Sequence, residues 1–244
     1  MHLRGKVVFV TGATGGIGGA LIRALLQRGA AKIYAAARTA ESAMVLAESD
    51  TGRLIPVRLN ITDPAQVAAA AERCQDVDLL INSASVNRRM WLTGPAAMES
   101  AREEMEVNFF GTLTMCRTFA PVLISRGGTM VNICSLFGLV NMPLNGTYSA
   151  SKAAAHSLLQ GMRGELAPKK VRVVGVYPGP VDTHMTDALL TPKVTPGQVA
   201  AAILAGLERG EEDIFPDPMS RDIHLQLELD AKYVEKSFAL VAPP

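Results

Sequence analysis

Short runs of apolar residues alternate along the chain with longer segments in which apolar residues recur at helical spacing. Short apolar runs are typical of strands buried on both faces of a parallel sheet, and Ile17, Leu21 and Leu25 recur on one face of a helix. The predicted strands are 6–11, 32–37, 53–59, 78–81, 129–134, 171–176 and 212–215. The predicted helices are 15–28, 39–49, 64–74, 98–126, 148–167, 196–209 and a last one that extends to about residue 238.

The alternation predicts an α/β fold: a single-domain, Rossmann-type, doubly wound parallel sheet of about seven strands with helices on both faces. No linker or low-complexity stretch divides the chain, so we expect one domain over residues 1–244, with a substrate loop at about residues 183–196. Ligands are then expected beyond the carboxyl ends of the strands. The long apolar helices 98–126 and 148–167 suit a subunit interface, which predicts a homodimer or homotetramer.

Composition narrows the class of protein. The chain has 244 residues and a formal net charge of +1, and 48% of its residues are hydrophobic, which argues against disorder. The balanced charge argues against a broad nucleic-acid-binding surface, and there is no basic run suited to a membrane surface. We find no apolar stretch that approaches the roughly 20 residues of a spanning helix and no signal core ahead of the first strand. We therefore expect a cytoplasmic protein with no membrane or nucleic-acid partner.

Cysteine and histidine usage does not indicate a metal site. The three cysteines lie in apolar segments, which predicts free, buried thiols rather than disulfides. Three of the four histidines are isolated in the sequence and form no ligand cluster. The residues concerned are Cys74, Cys116 and Cys134, and His2, His156 and His224.

A glycine-rich segment joins the first predicted strand to the first predicted helix. Glycine permits a tight turn and lets a pyrophosphate approach the backbone, while the helix N-terminus offers N–H groups to phosphate. A structural turn is the alternative, but the position between a strand and a helix favours dinucleotide binding. The segment is Thr11-Gly12-Ala13-Thr14-Gly15-Gly16-Ile17-Gly18.

The end of the second predicted strand indicates which dinucleotide is preferred. In NAD-type sites an acidic residue at this position binds the ribose hydroxyls. This chain has Ala37 followed by Arg38 and no carboxylate there. Arg38 suits a 2′-phosphate and can stack on adenine, although a solvated surface arginine is the alternative. We therefore predict a preference for NADP(H), with NAD(H) possible.

Four motifs in order give the chain a family resemblance. Tyr148 and Lys152 open a predicted helix, and Ser135 precedes Tyr148 by 13 positions. Together with the glycine-rich turn and the Asn108-Phe109-Phe110-Gly111 segment, this pattern resembles the short-chain dehydrogenase/reductase family over essentially the whole chain. The resemblance implies a catalytic tetrad of Asn108, Ser135, Tyr148 and Lys152.

The chemistry of these side chains supports the resemblance. Tyr148 and Lys152 are one helical turn apart and can line one site. A free tyrosine has a pKa of about 10, and a nearby ammonium favours its anion and lowers that pKa. Ser135 can hydrogen-bond a carbonyl or alcohol oxygen as charge develops. The resemblance further implies that Lys152 holds the nicotinamide ribose and that Asn108 holds a water that connects Lys152 to solvent.

The resemblance also assigns cofactor contacts along the edge of the predicted sheet, and the chain departs from the family pattern at some of them. The family usually has Asn-Asn-Ala-Gly after the fourth strand, whereas this chain has Asn82-Ser83-Ala84-Ser85, and Asn60 replaces a common aspartate. Gly15 stands where some NADP-using members have a basic residue. The assigned contacts are Asn60, Ile61, Asn82, Ser83, Ala84, Tyr148, Lys152, Pro178, Gly179, Val181 and Thr183.

The sequence indicates less about the residues that contact the substrate than about those that contact the cofactor. The candidate lining residues are mostly apolar, which favours an uncharged, fairly hydrophobic carbonyl or alcohol, with ordinary packing as the alternative role for them. The leading hypothesis is an NADP(H)-dependent carbonyl reductase or alcohol dehydrogenase with Tyr148 as general acid and base. A non-catalytic cofactor sensor and a 3-oxoacyl thioester reductase are the alternatives, the latter with a basic docking patch of Arg88, Arg89 and Arg126. The candidate substrate residues are Trp91, Leu136, Phe137, Met142, Leu144, His184 and Met185.

Overall fold

Seven strands form one parallel sheet in the computed structural model, which describes residues 2–39, 52–187 and 192–241. Their order across the sheet is β3-β2-β1-β4-β5-β6-β7, and each neighbouring pair is parallel, as the sequence predicts. The strands are β1 (Val7–Thr11), β2 (Lys32–Ala37), β3 (Leu54–Arg58), β4 (Leu79–Asn82), β5 (Thr129–Ile133), β6 (Arg172–Val176) and β7 (Asp213–Ile214).

Helices cover both faces of this sheet because side chains alternate along the buried strands. In β1, Phe9 joins the apolar core on one face, whereas Val8 and Val10 join the core on the other. The first core also takes side chains from α2, α4 and α5, and the second takes them from α1 and α6. The helices are α1 (Gly16–Gln27), α2 (Pro64–Arg73), α3 (Ala97–Met105), α4 (Thr112–Arg126), α5 (Gly146–Leu166), α6 (Pro196–Arg209) and α7 (Pro218–Ala239).

Most element boundaries differ from the predicted ones by one or two residues. The predicted helix 98–126 is correct in extent, but a π-helical segment, Glu106–Gly111, separates α3 from α4. The predicted helix 148–167 begins earlier, at Gly146, so the Tyr148 side chain lies within the first turn rather than at the start. Apart from Thr39, the predicted helix 39–49 lies outside the described residues.

The stretch Ala97–Arg126 corrects one expectation from composition. By length and composition it is apolar enough to cross a membrane, with a mean hydropathy of 1.3 in its most apolar window. The expectation that no such stretch exists is therefore wrong. In this structure, however, Met115, Cys116 and Phe119 of the stretch are fully buried against the sheet, so it serves as a core helix.

The strand order determines where the site lies. The chain leaves β1 toward β2 and β3 on one side, and continues through β4 to β7 on the other. The loops after β1 and β4 therefore diverge at the carboxyl ends of the parallel strands, the carboxyl edge of the sheet, and leave a crevice between them. Asp63 caps the N-terminus of α2, where its side chain accepts hydrogen bonds from Ala65 N and Gln66 N.

Candidate active site

The glycine-rich turn brings the backbone of β1 against the backbone of the loop after β4. Gly12 has φ +64°, and a Cβ there would lie 2.8 Å from the backbone N of Ala84. A side chain on Gly18 would collide with the carbonyl of Gly12, and one on Gly16 with the Thr183 side chain. The turn therefore accepts only glycine at these positions, and the cradle it forms has room for a phosphate beside the start of α1.

Thr11 connects the two loops that border the crevice. Its hydroxyl accepts hydrogen bonds from Ser83 N at 3.0 Å and Ala84 N at 3.2 Å. The threonine at the end of β1 thus holds the loop after β4 at a fixed distance from the glycine turn. The sequence offered this residue as part of the turn motif, but its contact with the loop after β4 depends on the pairing of two distant strands.

A cavity of about 770 Å³ runs along the carboxyl edge of the sheet. Almost every predicted cofactor contact lines it. The exception is Asn82, which is buried beneath the cavity and donates to Asn132 Oδ1 at 2.7 Å. The predicted contacts in the cavity wall are Gly12, Thr14, Gly15, Gly16, Ile17, Gly18, Arg38, Asn60, Ile61, Ser83, Ala84, Tyr148, Lys152, Pro178, Gly179, Val181 and Thr183.

Ser135, Tyr148 and Lys152 all line this cavity. Ser135 follows β5, and the other two lie on the first turns of α5. The Lys152 Nζ lies 5.6 Å from the centre of the Tyr148 ring and donates to the carbonyl of Ile133 at 3.1 Å. Each of the three side chains is more than nine-tenths buried. The arrangement places a phenol, a hydroxyl and an ammonium at one point.

Burial shifts the two titrating groups in opposite directions. It raises the pKa of Tyr148 well above its ordinary value, while hydrogen bonding from Ser135 and Ser85 partly offsets that rise. Burial lowers the pKa of Lys152 to about 8, so the ammonium form still predominates at pH 7. Burial removes the water that stabilises the charged form of each side chain. The opposite charges of a Tyr148 phenolate and the Lys152 ammonium would attract each other.

Asn108 lies behind this group, in the π-helical segment between α3 and α4. It does not line the cavity; its amide is fully hydrogen-bonded to Ser85, Val86 and Ser151. The extra residue in a π-turn rotates the following side chains relative to an α-helix. The sequence motif identified Asn108, but the π geometry that directs it toward the loop after β4 could not be predicted from residue spacing.

The outer end of the cavity carries the groups expected around an adenosine. Arg38 is exposed at the end of β2, and Arg88 forms a bidentate pair with Glu103 on the facing helix α3. The Arg88 guanidinium holds the pKa of the Glu103 carboxyl below its ordinary value, and Arg38 contributes in the same direction. Two guanidiniums therefore border the same end of the cavity.

Asn60 is fixed by its own neighbours in this region. Its side-chain oxygen accepts from Thr62 N at 3.2 Å and from the Thr62 hydroxyl at 3.0 Å, and its backbone N donates to Gln66. Asparagine can hold this turn as an aspartate would, without adding a negative charge near Arg38.

The predicted substrate residues divide into two groups. Phe137, His184 and Met185 line the cavity. Leu136 is fully buried in the core, Leu144 is exposed, and Met142 packs on a small cluster with Phe238 of α7. Trp91 also lies outside the cavity wall, with its indole ring beside Gly94.

Backbone contacts join the two ends of the loop that begins at Val181, and Arg89 contacts the loop between them. Val181 and Val194 pair as a parallel bridge, and Asp182 N donates to Val194 O at 2.8 Å. Arg89, in a left-handed conformation with φ 52°, donates from its guanidinium to the Met185 carbonyl. Residues 188–191 of the predicted substrate loop lie outside the described ranges.

Several cavity-wall residues did not follow from the sequence. The loop after β4, the facing side of α3 and the π-helical segment that follows α3 contribute most of them, because these parts approach the site only once the sheet is assembled. They are Ser85, Val86, Asn87, Arg88, Glu103, Glu106, Val107, Ile133, Cys134 and Asn145. Ser85 had one sequence signal, since it replaces a glycine of the family motif.

Arg126 does not join Arg88 and Arg89 in a basic patch at the cavity. It lies at the opposite edge of the sheet, where its guanidinium binds Asp78 at 2.9 Å. Arg88 is paired with Glu103, and Arg89 with a backbone carbonyl. The structure thus separates Arg126 from the other two arginines, so the three do not form the one docking surface that an acyl carrier would need.

The cysteine, histidine and acidic side chains in the described ranges form neither a disulfide nor a metal-ligand cluster. All three cysteines are buried and free, as predicted. In the ranges that the structure describes, no three histidine, cysteine, aspartate or glutamate side chains gather in a way that could hold a metal ion.

Comparison with known proteins identifies the family. A family model described as short chain dehydrogenase matches residues 6–193. The chain therefore belongs to the short-chain dehydrogenase family and is an oxidoreductase. It is 34% identical over 200 residues to an NADPH-dependent 1-acyldihydroxyacetone phosphate reductase of Saccharomyces cerevisiae, a match that covers 78% of this chain and 66% of the yeast protein.

Two further relatives show the range of the family. A 3-oxoacyl-(acyl-carrier-protein) reductase of Thermotoga maritima is 32% identical over 201 residues, covering 78% of this chain and 79% of that protein. The crystal structure of a short chain dehydrogenase from Burkholderia cenocepacia in complex with NADP is 42% identical, has a TM-score of 0.92 and covers 100% of both chains. The names of these relatives point to different substrates.

Proposed function

We propose that this protein is an NADP(H)-dependent oxidoreductase that transfers hydride between the nicotinamide and a carbonyl or secondary alcohol. The observation that carries the proposal is that Ser135, Tyr148 and Lys152 converge in the same cavity as the glycine turn. The same cavity would hold a dinucleotide, with the glycine turn to bind the pyrophosphate and these three side chains to act at the reacting end. When bound, NADP(H) supplies or accepts the hydride.

The chain's own residues then handle the proton and the developing charge. Tyr148 gives its phenolic proton to the carbonyl oxygen during reduction and takes it back during oxidation. Ser135 donates a hydrogen bond to the same oxygen, which is stronger once negative charge develops there. The buried Lys152 ammonium stabilises the phenolate that Tyr148 becomes, and this favours proton release at neutral pH.

The preference for NADP(H) is supported by the exposed guanidinium of Arg38 at the outer end of the cavity. Arg38 replaces the carboxylate that NAD-type sites place at the end of the second strand. A 2′-phosphate carries the charge that a guanidinium recognises. The similar Burkholderia cenocepacia protein was solved with NADP.

The substrate that this site favours is an uncharged, largely apolar ketone or alcohol. Among the predicted substrate residues that line the cavity, Phe137 and Met185 are apolar, whereas His184 is exposed to solvent beside Asp187. The guanidiniums of Arg88 and Arg89 are already bound within the protein. A carbonyl reductase or alcohol dehydrogenase therefore fits the cavity better than a reductase that must dock an acidic carrier.

An NADPH-oxidation screen tests this proposal directly. It compares aliphatic ketones, aromatic ketones, ketosteroids, quinones and 3-oxoacyl thioesters at one protein concentration, with NADPH binding followed separately by fluorescence. We expect turnover with at least one uncharged ketone class and little with the thioesters. Tight NADPH binding without turnover of any class would contradict the proposal and favour a cofactor-sensing role.

We further propose that copies of the chain associate through the outer side of the long helix. Met98 and Phe110 on this helix are 66% and 49% exposed, unusually high for large apolar side chains. Burial of these side chains between copies would remove them from water. Light scattering on the wild type and on Phe110→Glu tests this proposal, which predicts a smaller particle for the variant; a monomeric wild type contradicts it.

A further inference from the structure

Asn145 lines the same cavity as Tyr148, and the mechanism above gives it no task. It is 6% exposed and stands directly before Gly146, the first residue of α5. An asparagine in this position usually accepts a hydrogen bond from a backbone N–H of the first helical turn and so caps the helix. Within the described ranges, the side-chain amide of Asn145 makes neither this hydrogen bond nor any other.

The backbone of Asn145 and a carbonyl from another loop explain why the cap is not made. A capping residue usually has extended dihedral angles, whereas Asn145 has φ −127° and ψ 37°. One N–H group that a capping side chain would bind belongs to Thr147, and it donates instead to the Met90 carbonyl at 3.2 Å. The Thr147 hydroxyl donates to the same carbonyl at 3.1 Å. Met90 thus caps α5, and the Asn145 amide is left for another ligand.

The polar atoms of this amide are reached from the cavity. In the part of the chain that the structure describes, the residues with a side-chain nitrogen or oxygen that is fully enclosed and has no hydrogen-bond partner are Asn82, Glu104 and Arg172. The Asn145 amide is not among them, and Asn145 belongs to the cavity wall. A molecule bound in the cavity can therefore complete the hydrogen bonds of this amide.

Asn145 and Lys152 lie on opposite sides of Tyr148 along α5. Asn145 precedes Tyr148 by three residues and Lys152 follows it by four, and both spacings bring side chains to one face of a helix. Each separation is about one helical turn, or roughly 5 Å along the axis. A ketone that reacts at Tyr148 therefore has the Asn145 amide about one helical turn away, on the side opposite Lys152.

The chemistry of an amide determines which groups it can recognise there. Its N–H groups can donate to a ketone oxygen, and its carbonyl can accept from a hydroxyl. It has no charge to offset a carboxylate or a phosphate. A purely apolar ligand would displace water and leave the amide without a partner, which is costly. A neutral oxygen on the ligand is the group that satisfies it.

We propose that Asn145 is a specificity-determining residue that favours ketones with a second neutral oxygen close to the reacting carbonyl, as in α-hydroxyketones and vicinal diketones. The inference rests on the function proposed above and narrows its substrate class. The apolar side chains of Phe137 and Met185 in the same cavity wall suit the hydrocarbon part of such a molecule.

NMR of the side-chain amides in the NADP⁺ complex tests the inference without turnover, since NADP⁺ cannot reduce a ketone. The Asn145 signals are assigned by their absence from Asn145→Leu. We expect benzoin and benzil to shift these signals, and deoxybenzoin, which lacks the second oxygen, to leave them nearly unchanged. Acetoin and diacetyl against butanone form a smaller matched set.

Two results of this experiment overturn the inference. One is the absence of any shift with all four oxygen-bearing compounds, or a shift equal to that caused by their parent ketones. The other is a shift on addition of NADP⁺ with no further change when the compounds are added, which would assign the amide to the cofactor.

Kinetics provide the second readout. The ratio of kcat/KM for benzil to that for deoxybenzoin is compared between wild type and Asn145→Leu, so that the intrinsic reactivity of the diketone cancels. We expect the ratio to fall roughly tenfold, the effect of one hydrogen bond. Asn141→Leu, at an exposed asparagine outside the cavity wall, should leave the ratio unchanged.

The kinetic outcomes separate the inference from the proposed function. An unchanged ratio in Asn145→Leu overturns the role of Asn145 while the oxidoreductase activity stands. Absence of turnover in the wild type with any ketone overturns the proposed function alone, because the amide signals still report on what Asn145 binds.

Discussion

The two edges of the sheet use charged side chains in opposite ways. At the amino edge, where the parallel strands begin, the buried carboxylate of Asp78 accepts a hydrogen bond from Val7 N at 3.0 Å. It also pairs with Arg126 at 2.9 Å and with Lys6 at 3.8 Å. At the carboxyl edge, Lys152 is buried with a backbone carbonyl as its hydrogen-bond partner and, within the described ranges, no carboxylate.

We infer from this difference that the paired charges around Asp78 serve stability, whereas the buried charge of Lys152 serves function. Asp78 is surrounded by its partners, so its charge is neutralised within the protein and ties the starts of β1 and β4 to the end of α4. The charge of Lys152 is not neutralised by a carboxylate within the described ranges, and it acts on the Tyr148 phenol, whose ring centre lies 5.6 Å from the Lys152 Nζ. A buried cation without a counter-ion is costly for folding, and such groups concentrate at functional sites.

Removal of the Lys152 charge should lower kcat more than any other change considered except removal of the Tyr148 phenol. In Lys152→Met we expect kcat for ketone reduction to fall by roughly a thousandfold, because the phenolate loses its cation. Steady-state kinetics at pH 7 measure this. The matched change at the other edge, Arg126→Met, should leave kcat unchanged; equal losses in both variants would remove the distinction between the edges.

The pH profile sharpens the same prediction. Lys152 is protonated below its lowered pKa of about 8 and loses its charge above it. For the free wild-type enzyme, kcat/KM for ketone reduction should therefore decline as pH rises through about 8. The profile of Lys152→Met should lack this limb. A limb at the same pH in the variant would assign it to another group.

The glycine turn is the next most sensitive feature of the carboxyl edge. A Cβ on Gly18 collides with the carbonyl of Gly12, so Gly18→Ala must distort the turn. We expect the Kd for NADPH to rise roughly tenfold to hundredfold, the cost typical of overpacking at a tight contact. Fluorescence titration measures it, and Gly161→Ala, where nothing lies near the added Cβ, is the control. Normal NADPH affinity in Gly18→Ala would show that the turn is not the phosphate cradle.

A smaller effect is expected at the outer end of the cavity. Arg38→Asp supplies the carboxylate that NAD-type sites carry and removes the guanidinium suited to a 2′-phosphate. The ratio of kcat/KM for NADPH to that for NADH should fall by at least about tenfold. An unchanged ratio would mean that Arg38 is a solvated surface arginine and does not bind the 2′-phosphate.

The amino edge should respond in stability and not in turnover. Asp78→Asn keeps the size of the side chain but removes its charge, so the contacts with Arg126 and Lys6 weaken. We expect a loss of about 1–2 kcal/mol in the free energy of unfolding, which lowers the Tm by about 2–6 °C. Thermal unfolding and kcat are measured on the same preparation. A clear drop in kcat at a temperature where the variant is folded would contradict the separation of roles.

The fold and the centre of the site could be predicted from the sequence because each rests on local patterns. Alternating apolar runs determine the strands, and Tyr148 and Lys152 are neighbours on one helix. The sequence also placed Ser135 and the glycine turn at strand ends, and parallel strands bring such ends to one edge. The family resemblance supplied their roles.

The remaining features depend on contacts between distant segments. Arg88 meets Glu103 only because the loop after β4 folds back on α3, and Arg89 reaches Met185 across the cavity. The π-helical segment around Asn108 has no residue pattern that distinguishes it from an ordinary helix. Met142 and Leu144 looked like cavity residues in the sequence, yet one packs beneath α7 and the other faces solvent.

The central claim is that Tyr148 moves the proton at the carboxyl edge, and the most direct measurement is NADPH-dependent ketone reduction by Tyr148→Phe. The account predicts a fall in kcat of at least roughly a thousandfold, with the Kd for NADPH unchanged. Tyr233→Phe, the same change at an exposed tyrosine of α7, should keep wild-type turnover. Turnover in Tyr148→Phe close to that of Tyr233→Phe would contradict the account.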